Sequence, residues 1–491
     1  MTSPLPIMPV VLWTDALVFV LVVVILVFGW HVRRHDHLLA PWRKVAHSRS
    51  GMVAAVVLAV FIAVGLLDSL HFRPRLADGA AGGKASYSVE MLSLFDVAAA
   101  HLRTRPEKTY SAPLASHLFA RETVELPDGR QARLFPRLIY GGAHLGDPES
   151  EWTWDVAKRA IAGVASAILL WNLLVLVVIT WLSRRDHRSM ADTGRLIWNG
   201  QSAVPWRDML IAAGLLLLVL APMLLLSVKY HVFGTDKVGQ DVFYQALKSI
   251  RTGLVIGTLT TMVMLPFALL LGIMAGYLRG WVDDVIQYVY TTLNSIPGIL
   301  LIAASVLMLQ VLMDKHAELF ETVQQRADAK LLVLCLILGV TSWTGLCRLL
   351  RGESLKLREM EYIQAAQAFG VSGFRIITRH ILPNVMHIVL IAVVMDFSGL
   401  VLAEAVLSYV GVGVDPTMIS FGTMINSARL EMAREPMVWW SLAAAFVFML
   451  MLVLSANLFA DAVRDAFDPR IRGRVVTPAF ISKYLPVAKN S

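Results

Sequence analysis

Apolar residues in this chain are gathered into nine blocks, at 11–30, 51–67, 158–182, 209–228, 252–277, 292–312, 331–350, 385–412 and 438–460. Each is close to the ~20 residues with which a helix crosses a hydrocarbon layer of about 30 Å. The polar stretches between them differ in charge. Segment 31–50 carries Arg33, Arg34, Arg43, Lys44 and Arg49, and segment 183–208 carries Arg184, Arg185, Arg188, Arg195 and Arg207. Segment 351–384 adds Arg351, Lys356, Arg358, Arg375 and Arg379, and the tail beyond 460 adds Arg464, Arg470, Arg472, Arg474, Lys483 and Lys489. Basic residues of short loops stay on the cytoplasmic side. Nine spans with the N-terminus outside place all four segments inside. Segment 229–251, with Lys229, Lys237, Lys248 and Arg251, is then external against the rule, and 278–291 is nearly neutral, Arg279 being offset by Asp283 and Asp284. The pattern is that of an all-α polytopic membrane protein.

Residues 68–157 are too polar to span and read as an external inserted domain of mixed α/β structure. The alternation from Thr123 to Leu126, the turn at Pro127 to Arg130 and the run Gln131 to Phe135 predict a hairpin. Gly79 to Lys84 reads as flexible, and 313–330 as a short external amphipathic helix. The chain so divides into 1–67 with two spans, the insert 68–157, 158–228 with two more spans, 229–472 with the remaining five and a cytoplasmic loop at 351–384, and a cytoplasmic tail, 473–491.

Composition agrees. Of 491 residues 57% are hydrophobic and 16% charged, against roughly 25% charged in a soluble protein, and mean hydropathy is +0.63. A disordered chain, a disulfide scaffold and an ordinary soluble enzyme are excluded. The net charge of +8 is explained by loops facing anionic lipid, without nucleic acid. Cys335 and Cys347 read as small buried side chains rather than a disulfide or metal site. Block 11–30 has its arginines after it rather than before, the reverse of a cleaved leader, so a retained helix is expected.

The most informative segment is Glu361 to Asn384. Good helix formers run to Phe369, Gly370 stops the helix, a second amphipathic helix follows, and Pro383 marks the start of the next span. Two short helices on the cytoplasmic face make a lever for another protein; an ordinary interfacial loop has the same pattern. Nucleotide chemistry is absent: Gly82-Gly83-Lys84 lacks the spacing and the Ser/Thr of a phosphate loop. No catalytic, metal-binding or cofactor-binding residue is assigned.

Glu361, Gln364, Ala365, Ala366, Gly370, His380, Leu382 and Pro383 resemble the Glu-Ala-Ala coupling loop of ABC importer permeases, with Gln364 where that family has Glu. The form ending His380-Ile-Leu-Pro-Asn384 is similar to the C-type subunit of the dipeptide/oligopeptide/nickel branch. His231 to Asp236 with Gly239 and Asp241 resembles the branch's external Gly-Thr-Asp box (Gly234, Thr235, Asp236), Gln240 replacing its Arg. Gly276 to Asp283, Ser295 to Pro297, Ala403 to Gly411, Phe421 to Met424 and Asn457 to Arg470 extend the resemblance over 231–472, about half the chain. Pro41 to Lys44 is similar to the family's N-terminal segment. The resemblance implies a type I importer core built from span 51–67 or 209–228 and the last five, leaving 68–208 as an insertion and 11–30 as an extra helix. It implies pairing with a homologous second permease, two cytoplasmic ATPases that use ATP and Mg and engage the 361–384 loops, and an external substrate-binding protein. The insert faces the compartment where that protein docks. The cargo implied is peptides or a related small solute, moved across a bacterial inner membrane by alternating access.

Within the spans, Gly253/Gly257 and Gly272/Gly276 each lie four residues apart, on one helix face, and read as close helix contacts. Asp396, Glu404 and Asn294 are candidate lining of a translocation path or buried structural polar groups. Two rival functions remain at this level: an ATP-independent secondary transporter or channel using Asp396, and a sensor in which the insert is the working part and the helices an anchor.

Overall fold

The computed structural model describes residues 7–75, 87–125, 131–316, 318, 320 and 322–467. The stretch at 79–84, the turn at 127–130 and the tail with Pro469, Arg470 and 473–491 lie outside the described residues. A first strand, β1 (Ile7–Val10), leads into helices α1 (Trp13–Arg33), α2 (Asp36–His47) and α3 (Arg49–Asp68). The insert contributes β2 (His71–Pro74), β3 (Leu92–Ser93), α4 (Leu94–Ala98), α5 (Ala100–Arg103), β4 (Glu122–Glu125) and β5 (Gln131–Leu134). Then come α6 (Pro148–Asp186), the short α7 (Met190–Trp198) and α8 (Trp206–Ser227). The remainder is α9 (Val242–Leu278), α10 (Trp281–Ser295), α11 (Gly298–Lys315), α12 (Val323–Ser342), α13 (Thr344–Arg358), α14 (Glu361–Ala368), α15 (Gly373–Ile376), a π turn (Ile377–Ile381), α16 (Leu382–Val410), α17 (Phe421–Glu431) and α18 (Trp440–Phe467).

Among the described residues nine helices are long and apolar enough to cross a membrane, α12 with α13 and α15 with α16 each counting as one. Three boundaries differ from the hydrophobic pattern. Segment 278–291 is not a loop but most of α10, an amphipathic helix that starts after Gly280, whose φ is +60°. The span expected at 292–312 starts at Gly298, because Pro297 has no N–H to continue α10 and opens the next helix instead. The helix expected at 313–330 does not form as a unit: α11 ends at Lys315, and α12 starts at Val323, capped by Thr322 Oγ1, which accepts from Gln325 N at 3.2 Å.

Helix α9 is the centre of the bundle. Its small residues let neighbours approach: a side chain at Gly272 would meet Cys347 O and Leu350 Cβ at 2.8 Å, and one at Gly276 would meet Arg351 O at 2.6 Å, so α13 lies against bare backbone. Gly257 is covered by the Phe397 ring of α16, whereas Gly253 faces ordinary contact distances. Apart from this bundle, α6 and α8 form a hairpin. Gly163 and Gly214 are its close contacts, and Trp171 Nε1 donates to Leu210 O at 2.8 Å.

The hairpin read at Thr123 to Phe135 is present, with Glu122 opposite Leu134 and Glu125 opposite Gln131. A second, antiparallel sheet was not legible. It pairs β1 with β2, Ile7 opposite Pro74, and β2 with β3. Residues 7–10 therefore lie on the same side of the bundle as the insert.

Candidate functional site

In the segment 361–384, α14 ends as Phe369 N and Val371 N donate to Ala365 O and Ala366 O, each at 3.0 Å. Gly370 takes a φ of +73°, the left-handed conformation that lets the chain reverse. The reversal is held from below. Ile363, Ile376 and Ile381 have no exposed surface and pack with Cys347, Leu350 and Tyr277 of α9 and α13. Arg358 donates to Tyr277 O at 2.9 Å, and Arg351 forks onto Asp283 at 2.6 and 2.8 Å, joining α13 to α10. That guanidinium, against the milder cost of burial, holds the Asp283 carboxyl below its ordinary range.

The outward side presents Glu361, Gln364 and Ala365, with Phe369 at 87% and Phe374 at 79% exposure on either side of Gly370. Ala366, unlike the exposed Ala365, is turned inward onto the isoleucine cluster. Gln364 Nε2 donates to Glu359 O at 3.3 Å, a contact an acidic side chain in its place would not make. His380 stands against Tyr362, and its carbonyl accepts from Asn384 Nδ2 at 2.7 Å. Leu382 and Pro383 open α16. The two phenylalanines are the most exposed large apolar groups of this segment, ahead of Tyr362 at 43%, and they lie outside the small-residue pattern read from the sequence.

The Gly-Thr-Asp box is not an open site. Thr235 Oγ1 donates to Thr109 O at 2.8 Å and accepts from Ser111 N at 2.7 Å. Trp440 Nε1 donates to Thr235 O at 3.0 Å. A side chain at Gly234 would strike Ser111 O, and one at Gly239 the backbone of Glu107. Asp236 closes its own turn, accepting from Val238 N, Gln240 N and Gln245 Nε2. Asp241 caps α9 through Phe243 N at 2.8 Å and Tyr244 N at 3.2 Å. The insert thus lies directly on the box.

Their joint is a buried charge chain that the sequence reading did not assemble. His231 Nδ1 donates to Asp241 at 2.7 Å and Nε2 to Glu107 at 3.4 Å. Glu107 also accepts from the backbone N–H of Ile139, Tyr140 and Gly141 at 2.8–2.9 Å. Burial disfavours the imidazolium, but Asp241 and Glu107 outweigh it and raise His231 to about 9. Burial acts upward on Glu107, and His231 with the three N–H groups outweighs it, lowering the carboxyl below its ordinary value. The His231 contribution is therefore complete below its unfolded value of about 6.5 and is lost as pH rises toward about 9. We expect the melting temperature of the parent to fall across that window by more than that of His231→Gln; parallel pH profiles would refute a charged joint.

A second buried charge cluster ties α1 to the bundle. Arg251 of α9 donates to Asp15 at 2.5 Å and Thr14 Oγ1 at 3.1 Å, and lies 3.9 Å from Asp328 of α12. Asp328 accepts from Thr14 N at 3.1 Å, and His71 Nδ1 lies 2.8 Å from Asp15. All but His71 are buried. Arg251 in an otherwise external-looking segment was the available signal.

The three polar groups singled out within the spans do not form one site. Glu404, 1% exposed, accepts from Ser408 Oγ at 2.7 Å and Ser420 Oγ at 2.9 Å, tying α16 to the start of α17. Asn294 accepts from Thr344 Oγ1 at 3.1 Å, joining α10 to α13. Asp396 is half-buried, and its carboxylate faces a groove of about 710 Å³ between α13, α16 and the end of α18.

Residues 268–473 match the family model described as the binding-protein-dependent transport system inner membrane component, a range that includes the whole lever. Among curated proteins, the oligopeptide transport system permease protein OppC of Mycobacterium tuberculosis is 33% identical over 242 residues, 49% of this chain and 77% of its own. The dipeptide transport system permease protein DppC of Bacillus subtilis is 29% identical over 49% of this chain and 69% of its own. OppC of Haemophilus influenzae is 26% identical over 66% of this chain and 91% of its own.

Proposed function

The chain belongs to the inner membrane components of binding-protein-dependent transport systems, multi-pass permeases of ATP-driven importers, and from that premise we propose that it carries short peptides inward as one half of a heterodimeric permease. Permeases of this family work with ATPase and substrate-binding components. Here two ATPases, using ATP and Mg, seat on the lever at 361–384 of this chain and its homologous partner. Their closure pushes α14 and α15, and through the isoleucine seat α9, α13 and α16 move together, reorienting the path between the two permeases. This chain does no chemistry itself; it converts a cytoplasmic movement into a change of access.

The observation that carries this reading is the lever's construction: a rigid inward face of fully buried isoleucines and an outward face of two exposed aromatics about a left-handed glycine. Peptide cargo is supported by the similarity to oligopeptide and dipeptide transport permeases. Purified in mild detergent, the chain should retain a second permease and two ATPases, and the complex in proteoliposomes should accumulate peptides only with ATP and a loaded binding protein. Accumulation without ATP would overturn the reading in favour of a secondary transporter.

Orientation follows from the arginine-rich loops and from β1, which shares a sheet with the insert. With the N-terminus and insert external and the C-terminus cytoplasmic, an impermeant thiol reagent should label Arg121→Cys and spare Arg375→Cys in intact cells with their outer barrier opened. The opposite pattern would invert the topology.

A further inference from the structure

The groove beneath Asp396 holds four charged side chains, Glu353, Lys356, Asp396 and Arg464, along walls of Leu346, Leu349, Ile388, Ile391, Ala392 and Met395. Two of the charges satisfy each other, Lys356 Nζ lying 3.4 Å from Glu353. Asp396 and Arg464 form no ion pair or hydrogen bond through their side chains with any described residue. A carboxylate in the middle of a span costs ~2.5–3.5 kcal/mol on insertion scales. Its neighbour Glu404 meets that cost with two serine hydroxyls, but Asp396 has only the groove.

The spacing of the two free charges can be read from the helices. Ser398 of α16 bonds to Asn457 of α18, which sets these positions level. The two helices run in opposite directions, so Asp396 lies two residues and Arg464 seven residues to the cytoplasmic side of that level. At about 1.5 Å per residue their axial separation is roughly 7–8 Å. Two to three extended residues span about 7–11 Å. The groove therefore sets an anion and a cation apart along an apolar wall, with an axial offset on the scale of a short zwitterionic peptide.

We propose that this groove is a cargo subsite for di- and tripeptides, with Asp396 receiving the α-ammonium group and Arg464 the α-carboxylate, while the apolar wall accepts side chains with little discrimination. The inference rests on the peptide-import reading and adds to it the two groups that grip the cargo. It also gives Asp396 a role that needs no proton coupling: the carboxylate is matched by a cation that travels with the cargo and leaves with it.

The test uses the assembled importer in proteoliposomes with the binding protein saturated, its loading measured separately for each peptide. Asp396→Asn should lower uptake of a free-amine tripeptide about tenfold, the scale of one charge-assisted hydrogen bond, and Asp396→Glu should restore most of it. Recovery of the ATPases and of the second permease on pull-down should match the parent's in both. N-acetylated tripeptide, per loaded binding protein, should be carried slowly and equally by the parent and Asp396→Asn. Arg464→Gln with carboxyl-amidated peptide repeats the test from the other end, so a variant that fails to assemble does not remove it. Equal uptake by Asp396→Asn and parent, or equal losses for free and acetylated peptides, overturns the subsite while peptide import stands. A parent that imports no peptide overturns both.

Discussion

Exchanging Phe369 and Phe374 together for serine should leave the permease folded and inserted, yet strip it of its ATPase subunits and of transport. The two rings are 87% and 79% exposed although they sit on a segment whose Ile363, Ile376 and Ile381 are fully buried. Large exposed apolar groups on a rigid frame mark a contact surface, and aromatic anchors of this kind are worth about 2 kcal/mol or more each, a factor of roughly 30 in affinity. The seat beneath, Ile363, Ile376 and Ile381, is untouched by the exchange, so thermal stability should hold. Gly370→Val acts differently. No atom stands within 4 Å of an added Cβ, so the cost is the left-handed backbone, about 1–2 kcal/mol for a side-chain-bearing residue and more for a β-branched one. That variant should bind ATPases weakly and transport poorly. Ala366→Asp drives a charge into the isoleucine seat and should lower stability as well as coupling. Recovery of ATPases on pull-down, uptake and melting temperature separate the three. A Phe369→Ser/Phe374→Ser double variant that keeps its ATPases would show that the lever docks elsewhere.

Arg251→Met should be among the most destabilising single changes in the protein. It leaves Asp15 and Asp328 facing each other, 0% and 2% exposed, with Thr14 and His71 as their remaining partners. Removing one member of a buried charge group costs about 3–5 kcal/mol, because the stranded charge cannot regain water. Helix α1 should detach from α9 and α12, and the detergent-solubilised protein should melt well below the parent. Adding Asp15→Asn and Asp328→Asn removes the stranded charges and should recover most of the loss. If Arg251→Met melts with the parent, α1 is held by its apolar contacts alone. Should the triple variant fail to recover any stability, the loss comes from packing around the guanidinium rather than from uncompensated charge.

The chain pattern determined the membrane-spanning helices, because a lipid environment imposes one requirement everywhere: some 20 consecutive apolar residues with the backbone bonded internally. It also determined the turn at Gly370, since a glycine stop after a run of helix formers is a local property of the sequence, but not that the helix beyond it runs without a break from Gly373 through Pro383 into α16. Gly272 and Gly276 were legible as contacts for the same reason, four residues on one face of one helix. Where helices broke was less legible: hydropathy does not register Pro297, and α10 is amphipathic, so both escaped an apolar count. The remaining features depend on residues far apart in the chain. Glu107 and His231 are separated by 124 positions and Thr14 and Asp328 by 314, and nothing local to any of them announces a partner. The turning of Ala366 inward, the capture of Glu404 by Ser420, and the exposure of Asp396 to a groove were likewise decided by helix rotation. Rotation is set by packing against neighbours, and a sequence of uniformly apolar helices leaves it open until the bundle closes.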